Sequence, residues 1–447
     1  MQSNFACHLY SRNPEIVAEF FYDNYDNYDN YDNYDNYDNY DNYDNTDQML
    51  EVFVSNTAIK PDPTSSISLI LLSAACGFAV ANLYYNQPLL PAISTSFGID
   101  GATSGWIATL TQIGYAAGLL FFGPLGDTLS RRKLVFCLLT GNIASLILCA
   151  TAPNFIWFLT SSLILGLTSI SAQIIIPAVS GWVAPEKRGR VVGNLMSGLF
   201  AGALLARTLS GAIGEHFGWR EMFLLAALID IFLFFLVWFV LPKTATPQTM
   251  AYGQLLTSLG KLIKQQPLLR EAALSGFLLF AAFNTLWGSL ALLLSQPPYG
   301  WGSDIAGLFG LTGIVGMLAS STMGSMTDRF GGRAVVTTGA LLVTLALCLI
   351  GGTRHSILFL FAGIIFLDLG SRASLVANQT RLYTLLPDAR SRLNTVFMTC
   401  YFAGGAAGSS LGAIAAWHLS WSGVALSGGG CALLAAILVL FGTKRLV

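Results

Sequence analysis

Beyond residue 65 the chain returns repeatedly to apolar runs of about 20 residues, and nothing else in it limits the fold so strongly. At about 1.5 Å per helical residue, such a run crosses the roughly 30 Å of a bilayer's hydrocarbon core. Inside lipid a lone segment must satisfy its own backbone hydrogen bonds, so each run reads as a helix. Spans are expected near 66–86, 104–123, 132–151, 155–180, 190–213 and 220–241. After a polar stretch they resume near 271–294, 304–325, 334–352, 356–384, 393–416 and 422–442. Only 11% of the 447 residues are charged, against about 25% in an average soluble domain. The expected fold is an all-α integral membrane protein with twelve transmembrane helices in two pseudo-symmetric six-helix bundles. The bundles are residues 65–241 and 270–447, joined by a cytoplasmic linker at 242–269 and preceded by a tail, 1–64.

The tail is of another kind. Tyr22 to Asn45 is eight copies of Tyr-Asp-Asn. Its aspartates repel one another and it has no apolar face, so disorder is expected. Met49 offers a second possible start. Residues 1–20 lack the basic end and apolar core of a cleavable signal.

Lysine and arginine set the expected orientation, because they concentrate in cytoplasmic loops. With the N-terminus inside, all 23 fall in tails or inner loops except Arg207, Arg220, Arg354 and Arg372. Both termini are therefore expected in the cytoplasm. A net charge of −1 offers no basic surface for nucleic acid.

The halves repeat each other. Pro185-Glu186-Lys187-Arg188-Gly189-Arg190 returns as Pro387-Asp388-Ala389-Arg390-Ser391-Arg392, and Phe200-Ala201-Gly202 as Phe402-Ala403-Gly404 at the same offset. Gly123, Asp127 and Arg132 return as Gly324, Asp328 and Arg333. Parallel repeats of this size build transporters around a site near the midplane. Asp127 and Asp328 fall at the inner ends of spans two and eight. There each carboxylate can meet a helix start, and Arg131, Arg132, Arg329 or Arg333 can pair with it, forming a releasable latch.

These residues resemble the major facilitator superfamily, whose signature between its second and third helices is close to Gly-x-x-x-Asp-Arg-x-Gly-Arg-Arg. The copy from Gly324 to Arg333 fits it well. The copy at Gly123 departs at Thr128 and Ser130. Within that family, Leu83-Tyr84-Tyr85-Asn86-Gln87-Pro88-Leu89-Leu90-Pro91, Asn378-Gln379-Thr380 and Arg390 to Thr395 are similar to bacterial drug/proton antiporters. The arginine usual in their fourth helix is replaced by Ser162. In the fifth, Ala203 stands for proline and Arg207 for glycine. The resemblance implies a monomeric transporter in the bacterial inner membrane, using protons to export a small organic molecule or drug, with no cofactor. A metabolite importer or facilitator of the same fold, or a weakly active member, is the alternative.

The candidate site residues follow from cost. A charge at the bilayer centre costs at least about 2.5–3.5 kcal/mol on insertion scales, so charges within spans are functional candidates. They are Arg207, Asp230, Asp368 and Arg372. Asp230 ranks last, because its span reads as apolar all round and therefore peripheral. Asp368 and Arg372, four apart, share one helical face and can pair. Asn82, Tyr84, Tyr85, Asn86, Gln87, Gln112, Gln173 and Asn284 add polarity in spans one, two, four and seven. Gly114/Gly118, Gly198/Gly202 and Gly404/Gly408 are small-residue pairs suited to close helix packing. No cysteine or histidine spacing points to a metal, and all cysteines but Cys7 read as apolar packing. Gly408-Ser409-Ser410-Leu411-Gly412 copies a hydrolase elbow but lies in an apolar span, and no phosphate-binding loop is present. No catalytic residue is expected.

Overall fold

The computed structural model describes residues 66–183, 185–241, 252–353, 356–386 and 389–442. The Tyr-Asp-Asn tail, Arg354, His355, Pro387 and Asp388 lie outside the described residues. Among those described, all regular structure is helical.

The first half comprises α1 (Ser66–Ala81), α2 (Asn86–Phe97), α3 (Gly101–Phe122), α4 (Leu125–Thr128), α5 (Arg131–Ala150), α6 (Phe155–Thr168), α7 (Ser171–Trp182), α8 (Pro185–His216) and α9 (Trp219–Val240). The second comprises α10 (Tyr252–Gln265), α11 (Pro267–Trp287), α12 (Leu290–Leu294), α13 (Ser303–Leu308), α14 (Ile314–Phe330), α15 (Gly332–Gly351), α16 (Ile357–Tyr383) and α17 (Arg390–Phe441). Among the described residues ten helices are long and apolar enough to cross a membrane. One of them, α17, turns at Ser420 (φ 53°, ψ −140°) and serves as two passes. The run α13–α14, joined by a 3₁₀ turn at Phe309–Gly313, completes twelve.

Two boundaries differ from expectation. The first pass does not stop near residue 86; it breaks at Asn82–Tyr85 and resumes as α2. Pro88 falls in the first turn of α2, where its missing N–H has no helical partner to lose. The stretch 242–269 also carries a helix that the sequence reading did not anticipate, α10. Leu255, Leu259 and Leu262 make one buried stripe along α10.

Helix starts follow the usual polar caps. Asp100 accepts the Thr103 N–H (2.6 Å) at the start of α3, and Asn154 accepts the Trp157 N–H (2.9 Å) at the start of α6. The Thr103 hydrogen bond holds the exposed Asp100 carboxyl below its usual range.

Packing is close where glycine permits it. α1 lies on α8, α3 on α6, and α11 on α17. A Cβ at Gly114, Gly118, Gly198, Gly202, Gly404 or Gly408 would fall on the backbone carbonyl of Leu163, Leu167, Ser73, Gly77, Phe277 or Ala281 respectively. The expected glycine pairs therefore do set helix contacts. Between the halves, α3 meets α17 and α8 meets α13. This meeting is tight at the face carrying the odd-to-even connections. Thr208 donates to the Gly307 carbonyl (3.0 Å), and the Ser303 N–H donates to Glu215 (2.9 Å). Outward faces stay apolar, as with Leu228, Phe232, Phe235 and Phe239 on α9, which suits lipid.

Candidate translocation site

Three of the four charges expected within spans gather where the halves meet. Arg207 on α8 is buried. Its Nε donates to Gln87 Oε1 (2.8 Å), and an Nη donates to the Ala203 carbonyl (3.2 Å). The guanidinium lies 4.5 Å from the centroid of the Tyr84 ring and 4.1 Å from that of Trp287. Cations are drawn to such ring faces, more strongly away from water.

Asp368 and Arg372 follow on α16. Asp368 is buried and within electrostatic reach of both Arg372 and Arg207. The two α16 residues share a face as expected, yet Asp368 Oδ2 and Arg372 Nε are buried without a hydrogen-bond partner. The Arg372 guanidinium instead lies 4.7 Å from the Phe200 ring of α8. Gly313 and Gly316 back this pair. A Cβ at Gly313 would stand 2.7 Å from Asp368 Oδ2, and one at Gly316 would stand 2.8 Å from Arg372 Nε. Residues from five passes thus surround three charges.

The polar candidates divide. Gln87 joins the junction. Asn86 donates to Thr111 (3.0 Å), and the Tyr85 carbonyl accepts from Ser210, so these two tie the broken first pass to α3 and α8. Gln112 is buried with both amide atoms unpartnered. Asn284 donates back to the Phe280 carbonyl (3.1 Å), leaving its oxygen unpartnered. Sequence reasoning missed Tyr84 as a ring partner, Trp287 and Phe200. An aromatic inside an apolar run gives no sign of facing a charge until the helix rotation is known.

Asn82 points elsewhere, to Asp230, which is buried although its span reads as peripheral. Asp230 on α9 is 1% exposed. Its Oδ2 accepts from Asn82 Nδ2 (3.0 Å) and Asn142 Nδ2 (2.9 Å). The Asn142 oxygen in turn accepts from Thr168 and Ser169, each at 3.1 Å. Four passes meet at this carboxylate. The signal was available: Phe223, Ala226, Ala227, Asp230, Leu233 and Val237 fall at helical spacing on one buried face.

At the other face the repeated arginines act alike in both halves. Arg132 donates to the Trp238 carbonyl (2.7 Å) near the end of α9. Arg333 donates to the carbonyls of Val439 (2.8 Å), Leu440 (3.0 Å) and Gly442 (2.9 Å) at the end of α17. Each satisfies the carbonyls that a helix end leaves free, where the dipole favours a cation. Arg131 donates to Gly126 (3.2 Å). Asp328 and Arg329 are exposed at the end of α14. The side chain of Asp127 and the surroundings of Gly324 lie outside what is described. Nearby, Arg381 pairs with buried Glu271 at 2.6 Å, joining α16 to α11, an ion pair the sequence reading did not anticipate. Among the described residues no group of three or more His, Cys, Asp or Glu is placed to hold a metal.

The comparisons agree with this architecture. The family model described as Major Facilitator Superfamily matches residues 69–323 and 306–446. The uncharacterized transporter YgaY of Escherichia coli O157:H7 is 40% identical over 375 residues, covering 84% of this chain and 95% of the relative. Among solved structures, a D-xylose-proton symporter superimposes with a TM-score of 0.69 at 15% identity, covering 85% of this chain and 98% of its own. The human organic anion transporter MFSD10 does so at 0.62 and 19% identity, covering 83% and 98%. With the fold, the duplicated motif and the family model in agreement, the chain belongs to the major facilitator superfamily and is a membrane transporter of that type, not an enzyme.

Proposed function

We propose that the Arg207–Asp368–Arg372 junction is the substrate and coupling site of a proton-driven, alternating-access transporter. The observation that carries this is the gathering of three costly buried charges at the interface of the two halves, the surface that must part for a solute to pass. Tight contact at the odd-to-even face supports a state closed on that side. Proton transfer to Asp368 removes the one negative charge facing the two guanidiniums, and such a change can bias a two-state bundle. Tyr84 and Tyr401 also face the cluster. The reading of highest resemblance is export of a small organic molecule across the bacterial inner membrane, by a monomer with both termini in the cytoplasm.

A second reading has an observation in its favour. With two arginines to one carboxylate, a negatively charged solute would bind best when Asp368 carries a proton, so proton and solute would move together, as in an importer. Proteoliposomes with an imposed pH gradient separate the two: export by antiport accumulates solute from the alkaline side toward the acidic side, and symport does the reverse. In either case Asp368→Asn should abolish proton movement tied to solute movement, followed with a pH-sensitive dye. Unchanged coupling in that variant removes Asp368 from the mechanism. In the same vesicles Asp127→Asn and Asp328→Asn should slow turnover with little change in the half-saturating solute concentration.

Orientation has its own test. Reporter fusions after Arg132, Arg188, Lys264 and Val447 should report cytoplasm, and those after Ala152, Ser303 and His355 the outside. A cytoplasmic signal after Ala152 would break the assignment.

A further inference from the structure

Beside Arg207 lies a cavity of about 10 Å³, room for a single oxygen atom, with Gln87, Pro88, Arg207, Trp287, Leu290 and Ala306 in its lining. We propose that it receives one oxygen of the carboxylate, or of a similar oxyanion, of the transported molecule. The inference rests on the reading that the junction is the solute site, and it names the class of solute.

The lining is one-sided in its hydrogen bonding. Gln87 is turned by Arg207, whose Nε holds the amide oxygen at 2.8 Å. That leaves the Gln87 Nε2 donor, which is buried and has no partner. The Trp287 indole N–H is also buried without a partner, and indole can only donate. Arg207 directs two N–H groups to Gln87 and Ala203. A guanidinium has five such groups and accepts nothing. The other lining residues carry no polar side-chain atom. The side-chain groups still able to bond are therefore donors around a positive charge.

Unsatisfied buried donors are rare because each gives up its hydrogen bond to water and gains none in return. Two on one small cavity, beside an arginine that lies against two rings, make a lining that favours an acceptor. A carboxylate supplies two oxygens with about four lone-pair sites, and its charge strengthens every bond it accepts. An ammonium would bring donors against donors and a charge against Arg207. A neutral amide would bring its own N–H groups along with its oxygen. Asp368 stands within electrostatic reach of Arg207 and takes up part of its field. Arg372 adds a second positive charge to the cluster, so its balance stays positive.

The test uses the purified full chain in detergent. Benzoate and hexanoate are compared with benzamide, hexanamide, benzylamine and hexylamine at millimolar concentration and fixed ionic strength, with thermal unfolding as the readout. The two carboxylates should raise the unfolding temperature, and the amides and amines should not. Trp287→Phe keeps a ring against Arg207 and removes only the N–H, so it should weaken benzoate by about three- to tenfold, the worth of one hydrogen bond. Arg207→Gln should weaken it by more than about tenfold, as expected for a charged partner. Equal stabilisation by amine or amide, carboxylate binding indifferent to both variants, or no carboxylate binding at all overturns the proposal. Uptake into vesicles tells this failure from failure of the junction. Loss of transport in Arg207→Gln for a solute that proves cationic would keep the junction and discard the anion. Transport untouched in Arg207→Gln would discard the junction itself.

Discussion

Gly202→Ala is expected to lower the unfolding temperature sharply and to reduce the folded protein recovered from the membrane. α1 and α8 cross with backbone against backbone. A Cβ at Gly77 would stand 2.6 Å from the Gly198 carbonyl oxygen, and one at Gly202 would fall on Gly77 itself. Where the obstacle is a side chain, a rotamer change can relieve an added methyl. Here it is main chain on both sides, so the helices must separate. Overpacking a close contact usually costs about 1–3 kcal/mol, and a backbone obstacle belongs at the upper end of that range. The separation also reaches function, because Arg207 lies little more than one turn along α8 from Gly202, and its partner Gln87 belongs to the first pass. Gly193→Ala is the matched control. The same helix carries it, the same methyl is added, and the position faces open space. There the change should be neutral or stabilising by up to about 1 kcal/mol through helix propensity. Size-exclusion profiles and thermal unfolding in detergent give the comparison. Similar behaviour of the two variants would mean that the α1–α8 contact is not as close as described.

Much of this architecture was readable because membrane solvation leaves so little choice. Runs of apolar residues near 104–123, 220–241 and 334–352 became α3, α9 and α15 with boundaries shifted by only a few residues. The glycine pairs were readable for the same reason: in lipid, close approach is a main source of helix association, and only small residues allow it. What failed was what depends on helix rotation or on local breaks. The apolar pattern puts the end of the first span near residue 86, whereas Pro88 and Pro91 sit in a helix that restarts at Asn86. α10 was hidden because its three buried leucines are outnumbered by polar neighbours; only their spacing of four and three gives it away. At the junction, Arg207, Asp368 and Arg372 stood out by charge alone. Their surroundings did not, since nothing in the chain says that Trp287 turns to Arg207 or Phe200 to Arg372. The expectation of a direct Asp368–Arg372 pair used only their shared face, whereas the Arg372 guanidinium lies over the Phe200 ring of α8.

The same weakness in reading rotation hid Asp230, and the largest expected effect outside the junction lies there. Asp230→Leu should destabilise the first half by several kcal/mol, while Asp230→Asn should be close to the parent. The leucine deletes the acceptor for two buried amide donors, Asn82 Nδ2 and Asn142 Nδ2. Each stranded donor costs about 1–3 kcal/mol, and neither has water to turn to. An asparagine at 230 still offers one oxygen where Oδ2 now accepts both bonds. Its new amide can serve the Asn82 oxygen, which is buried and without a partner. The contrast between two variants of similar size therefore reports the hydrogen bonds and not the volume. The consequence extends to transport, because Asn82 opens the break between α1 and α2 that carries Tyr84 and Gln87 to the guanidinium of Arg207. Loss of the Asp230 anchor should loosen that break, so in Asp230→Leu solute affinity should fall along with stability. Thermal unfolding and solute uptake of both variants, measured side by side, are decisive. A leucine variant as stable as the parent would mean that the first pass is held by its packing alone. An asparagine variant that keeps its stability and loses transport would place the charge of Asp230, and not its hydrogen bonds, in the working cycle.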